Sequence, residues 1–121
     1  MLYNRANVEK LIHELRTTKR PQSYTSYVEG RVSTRDMIEY KQKGWTGSDH
    51  LRVCANGVFL IDVTSTAHRD ANYTDQDRIV SEAINTWNDF EKLSFREIAD
   101  KLEQRLPFID EVEALEHAHA K

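Results

Sequence analysis

The stretch from Asp62 to Asp70 carries the side chains that hydrolytic chemistry uses. Ser65 and Thr66 offer hydroxyls, His68 is a base near neutral pH, and Asp70 or Asp62 would orient it. Three features weigh against an active site. The residues are too close in sequence to converge without a special turn. No nucleophile elbow surrounds either hydroxyl. The helix expected next opens with Asp75 and Asp77, so it is no cradle for phosphate. A small hydrolase using residues 62–70 is therefore the weakest functional alternative, and no catalytic residue is assigned.

The histidines suggest metal binding only faintly. His117 and His119 are two apart, which on a helix points them to different sides. A zinc ion would need further ligands, such as Cys54, the chain's one cysteine. Cys54 reads more simply as a small buried apolar residue. No metal site and no cofactor are expected. Ser94, Glu97, Ile98 and Ala99 resemble the opening of a helix-turn-helix, but the continuation departs from it. No glycine marks the turn. The segment Ile109 to Glu116, where a recognition helix would lie, contains four acids and no base, the wrong sign for phosphates.

Residues 16–45 carry the strongest binding signal. They hold seven Lys/Arg against three Asp/Glu, with Tyr24, Tyr27, Tyr40 and Trp45 among them. Tyr, Trp and Arg dominate protein–protein hot spots. Aromatics that stack on bases, beside cations that meet phosphates, equally suit single-stranded nucleic acid. The expected contact residues are Arg20, Tyr24, Tyr27, Arg31, Arg35, Tyr40, Lys43 and Trp45. The leading expectation is a non-catalytic binding or regulatory module for a protein with an acidic surface. Small inhibitors and assembly factors, including those of phages and mobile elements, have this size and simplicity. A single-stranded nucleic-acid binder is the alternative, disfavoured by the acidic pI of about 5.9.

These residues need elements to position them. Val8, Leu11, Ile12 and Leu15 form one helical stripe within Asn4 to Thr18. Ser33 and Asp36 open a short helix that Gly44 closes. Residues 22–32 read as an edge strand or an ordered loop. Asn56-Gly57 predicts a hairpin, because a two-residue turn needs positive φ at both central positions. Leu51 to Ala55 and Val58 to Thr64 are its expected strands. Thr74 to Phe90 reads as the strongest helix, with Ile79, Val80, Ala83, Ile84 and Trp87 as its apolar face. Ser94 and Glu97 cap another, with Leu93 and Ile98 spaced as a hydrophobic staple. Pro107 is expected to stop or kink it before a last helix through Leu115 that frays from Glu116. The predicted fold is α+β: a small antiparallel sheet of two or three strands packed with four or five helices.

The chain of 121 residues is expected to form one domain. With a single cysteine it can have no internal disulfide. Residues 1–16 hold no apolar stretch resembling a signal peptide and no run is long enough to cross a bilayer, so the expected compartment is the cytoplasm. The net charge of −3 hides a split. Residues 1–53 hold 10 Lys/Arg and 6 Asp/Glu, whereas residues 54–121 hold 7 and 14. The two halves would make a dipole, and a basic half could pair with the acidic half of a second copy.

Overall fold

In a computed structural model, the chain forms five helices, and the segment that the sequence assigns to a hairpin is one of them. The structure describes residues 1–25, 27–66 and 73–119. Helix α1 (Arg5–Thr17) starts where the Asn4 side chain accepts the Asn7 N–H, and it buries Val8, Leu11, Ile12 and Leu15. Helix α2 (Thr34–Gln42) opens on a capping box of Ser33 and Asp36 and buries Met37 and Ile38. Gly44 follows with φ of +74°, the left-handed conformation that glycine adopts at low cost after a helix.

The expected sheet is overturned. Among the described residues there is no strand or sheet, and the domain is a small helical one rather than α+β. Asn56 and Gly57 lie inside helix α3 (Ala55–Val58), which widens into a π-helix over Phe59–Thr64 and ends at Ser65 with φ of +52°. The apolar run misleads because a short continuous one suits a buried strand and a buried helix equally. Here Val58, Phe59 and Ile61 are wholly buried as the central helix of the core.

The Asn-Gly pair has a packing cause instead of a turn cause. The Asn56 side chain accepts the Tyr3 hydroxyl at 2.6 Å. It donates to Asn85 Oδ1 at 2.7 Å and to the Ser81 carbonyl at 3.0 Å. Gly57 sits against the Tyr27 carbonyl, whose oxygen would lie 2.4 Å from any Cβ added there. What remains of β pairing is two isolated bridges on Val53, parallel with Gln22 and antiparallel with Val28. Residue 53 is thus clasped by two parts of the one loop that joins α1 to α2. Its N–H donates to the Pro21 carbonyl and its own carbonyl accepts Ser23 N–H.

Helix α4 (Asp75–Asn85) is capped by Thr74 and Asp77 and continues as a π-helix over Thr86–Phe90. Asp77 is fully buried. Its carboxylate accepts the backbone N–H groups of Leu2, Tyr3 and Thr74, tying the chain's start to α4. Asn88, also buried, accepts the Ala55 N–H and so caps α3 from a distance.

Helix α5 (Phe95–His119) opens on the Ser94–Glu97 box. It continues through Pro107 as one element, where a stop or a kink before a separate last helix was expected. Pro107 is exposed, so the Glu103 carbonyl that loses its helical donor is on the solvent side, where water replaces the bond. Beyond the proline, Ile109 and Val112 are buried, and the Arg5 backbone N–H donates to Glu113, which holds the second half in place. α1 pairs antiparallel with α5, since Arg5 meets Asp110 while Arg16 meets Asp100 and Glu103. α1 and α2 both pack on the π-helical end of α3, and α3 packs on α4.

Candidate binding surface

The residues predicted to bind divide into those the fold consumes and those it presents. Arg20 is consumed. Its guanidinium grips Asp62 through two hydrogen bonds, Nε at 2.9 Å and Nη2 at 3.1 Å. Lys41 Nζ joins the same carboxylate at 2.7 Å. The Asp62 side chain is only 6% exposed. Burial alone would raise its pKa, but the bonds from Arg20 and Lys41 outweigh it and hold the carboxyl below its usual value. Arg20 Nη1 is buried 3.5 Å from Asp49, close enough for charge attraction but poorly directed for a hydrogen bond.

This triad welds α2 and the loop after α1 to the end of α3. Both carboxylate oxygens of Asp62 accept from these two cations. Its imagined partners His68 and Asp70 lie outside the described residues. Among the described residues, no three His, Cys, Asp or Glu side chains gather where a metal ion would sit. Cys54 caps α3, its sulfur accepting the Gly57 N–H at 3.4 Å, and burial pushes the thiol up to about 11.

Other predicted residues are partly used. Lys43 bonds Glu39 one turn back, and Tyr24 lies beneath Lys92, whose Nζ is 5.3 Å from the ring centroid. Arg31 and Arg35 are exposed. Tyr27 is partly exposed, and its backbone is fixed by the Cys54 N–H and by contact with Gly57.

Trp45 is presented. More than half its surface is open (55%), yet its position is fixed. Tyr40 meets it edge-on, with ring centroids 4.5 Å apart and planes at 85°. The Trp45 N–H donates to the Tyr40 carbonyl at 2.9 Å. The indole also lies close to Gly47, 2.9 Å from where a Cβ would stand. The structure therefore brings Tyr40 and Trp45 together, whereas Tyr24 is engaged with Lys92.

A second surface escapes the sequence reading. An apolar groove of about 250 Å³ lies between α4 and α5, with Ile79, Ala83, Trp87, Leu102 and Phe108 in its lining and Arg105 beside them. Ile79 was expected in the core but is 54% exposed. Of the six large apolar side chains exposed among the described residues, Ile79, Phe90, Phe108 and Leu115 belong to α4 with its π-helical end or to α5. The legible signal was the width of the apolar faces. Phe108 and Leu115 are seven apart, on a stripe distinct from the Leu102 and Ile109 stripe that meets the core.

Comparison with known proteins found no matching family model, no similar curated protein and no similar solved structure. No described helix is long and apolar enough to cross a membrane.

Proposed function

We propose that the chain is a non-catalytic binding module that grips a protein partner through Trp45. The observation that carries this reading is the exposed indole held by the Tyr40 ring and close to Gly47. A large apolar ring left in water is normally unfavourable. Held in one orientation, it loses little entropy on binding, which favours a hot-spot role. The exposed cations Arg31 and Arg35 belong to the same chain segment and suit a partner with acidic groups.

The charge economy of the segment favours a protein over nucleic acid. Of its seven cations, Arg16, Arg20, Lys41 and Lys43 are committed to acids of this chain. A backbone-tracking site for single strands needs its cations free for phosphates. Two measurements test the reading. Trp45→Ala removes capture of the partner from the native host extract, treated with nuclease, while the far-ultraviolet circular dichroism stays unchanged. Undiminished capture by that variant contradicts the assignment. Tight binding of an oligonucleotide that weakens steeply with salt would transfer the surface to nucleic acid.

A further inference from the structure

Asn56 and Gly57 form a pair that can react with itself. Of the six asparagines in the chain, Asn56 alone precedes glycine. Glycine has no side chain to shield its backbone nitrogen and the greatest backbone freedom, so that nitrogen reaches a preceding side-chain amide more easily than that of any other residue. We propose that Asn56 is a deamidation site gated by the fold, closed while α3 is formed and open in any molecule whose α3 comes apart.

The chemistry needs only water. The Gly57 backbone nitrogen gives up its proton and attacks Cγ of Asn56. A C–N bond forms, the Cγ–Nδ2 bond breaks, and ammonia leaves with the proton, closing a five-membered succinimide. Water then opens the ring. Attack at Cγ gives aspartate, and attack at the backbone carbonyl carbon gives isoaspartate, with the chain routed through the former side chain. Each event consumes one water and releases one ammonia, with no change of oxidation state.

The folded chain withholds each motion that this reaction requires. Ring closure turns the peptide between residues 56 and 57 about the Asn56 Cα–C bond until its nitrogen faces Cγ. Both sides of that peptide are held. Its carbonyl accepts the Phe59 N–H, and its N–H donates to Cys54 Sγ at 3.4 Å. Gly57 also lies against the Tyr27 carbonyl, which crowds the turn. The side chain is held as firmly. Its Oδ1 accepts the Tyr3 hydroxyl at 2.6 Å, and Nδ2, the leaving group, donates to Asn85 Oδ1 at 2.7 Å and to the Ser81 carbonyl at 3.0 Å. Asn56 is buried, which also keeps water from the ring. These partners come from the chain's start, from α4 and from the loop before α2, so the gate opens only when elements distant in sequence part.

The reaction then records the opening. Aspartate has no donor for Asn85 and Ser81, and isoaspartate adds a methylene to the backbone of a helix whose hydrogen-bond spacing has no place for it. Either product weakens α3, so a molecule that has opened once opens more readily afterwards.

Peptide mass spectrometry of the full chain, aged in native buffer and in guanidinium chloride at the same mildly alkaline pH, tests this. In the denaturant, deamidation is expected at Asn56 ahead of the other asparagines. In native buffer it is expected to be slower by about 100-fold or more, since a folded domain is open in roughly one molecule in a thousand or fewer. Tyr3→Phe keeps the ring stacked on Phe59 and removes one bond to Asn56. It is expected to leave the denatured rate unchanged and to raise the native rate about fivefold. Chains deamidated in denaturant and then refolded are expected to show a lower urea midpoint than unmodified ones. Comparable rates with and without denaturant overturn the proposal, because residues 56 and 57 would then be free to react in the folded chain. A Tyr3→Phe native rate equal to wild type overturns the gate. Modified chains with an unaltered midpoint overturn the record, and denatured chains that spare Asn56 overturn the site itself.

Discussion

At the scale of single residues, Asn56 and Gly57 decide how the fold is to be understood. In a type I′ turn both would face water, and Asn56→Asp would be nearly neutral. In α3 the Asn56 amide donates to Ser81 and Asn85 while its oxygen accepts from Tyr3, and burial allows water to replace none of these. Asn56→Asp removes the donor and leaves Asn85 Oδ1 and the Ser81 carbonyl facing a carboxylate. We expect a loss of about 2 kcal/mol or more of stability, read from the urea midpoint. An unchanged midpoint would mean that the residue is in a solvated turn. Gly57→Ala reverses the usual preference of helices for alanine. The added methyl meets the Tyr27 backbone, which cannot swing aside as a side chain would. The expected cost is about 1–3 kcal/mol, against a gain of about 1 kcal/mol at an unobstructed helical position.

At the scale of elements, the capped helices were legible and the central one was not. Asn4, Ser33, Thr74 and Ser94 all cap helices as their spacing predicts, because a cap is a local interaction between residues three apart. The identity of Leu51–Thr64 was not local. It depends on Tyr3, Tyr27, Ser81 and Asn88, partners far away in sequence that no window on residues 51–64 contains. Pro107 misled for a related reason: its cost is fixed locally, whereas the burial of Ile109 and Val112 that offsets it is tertiary.

The weld between elements at Asp62 has a pH signature. Its carboxyl titrates lower in the folded chain than in the unfolded one, because Arg20 and Lys41 outweigh burial. The stability it contributes is therefore fully present above the unfolded carboxylate value near pH 4, and is lost as pH falls through the folded value. Asp62→Asn should lower stability at pH 7 and flatten the acid limb of the stability curve below about pH 4. An acid limb identical to wild type would mean that Asp62 titrates alike in both states.

At the scale of the whole molecule, the charge split near residue 53 is partly bridged by ion pairs in the fold. Arg5 and Arg16 of the basic half meet Asp110, Asp100 and Glu103 of the acidic half, and Arg20 and Lys41 meet Asp62. The halves lie against one another along α1 and α5, so part of the dipole suggested by counting along the chain is neutralised. The same counting pointed to self-association between opposite halves. Candidate residues were legible as types, Tyr, Trp and Arg being the side chains that contact surfaces favour. Which of them stay available depends on neighbours: Asp62 claims Arg20 and Lys41, Glu39 claims Lys43, and Tyr40 with Gly47 leaves Trp45 outward.

The central claim, that a partner docks on Trp45, is tested most directly by amide and indole NMR shifts of the labelled chain during titration with the captured partner. The expected result is a set of saturating changes at the Trp45 indole N–H and at amides 40–47, extending to the exposed Arg31 and Arg35. Changes confined to the α4–α5 groove or to residues around Asp62, with the Trp45 indole unmoved, would contradict it.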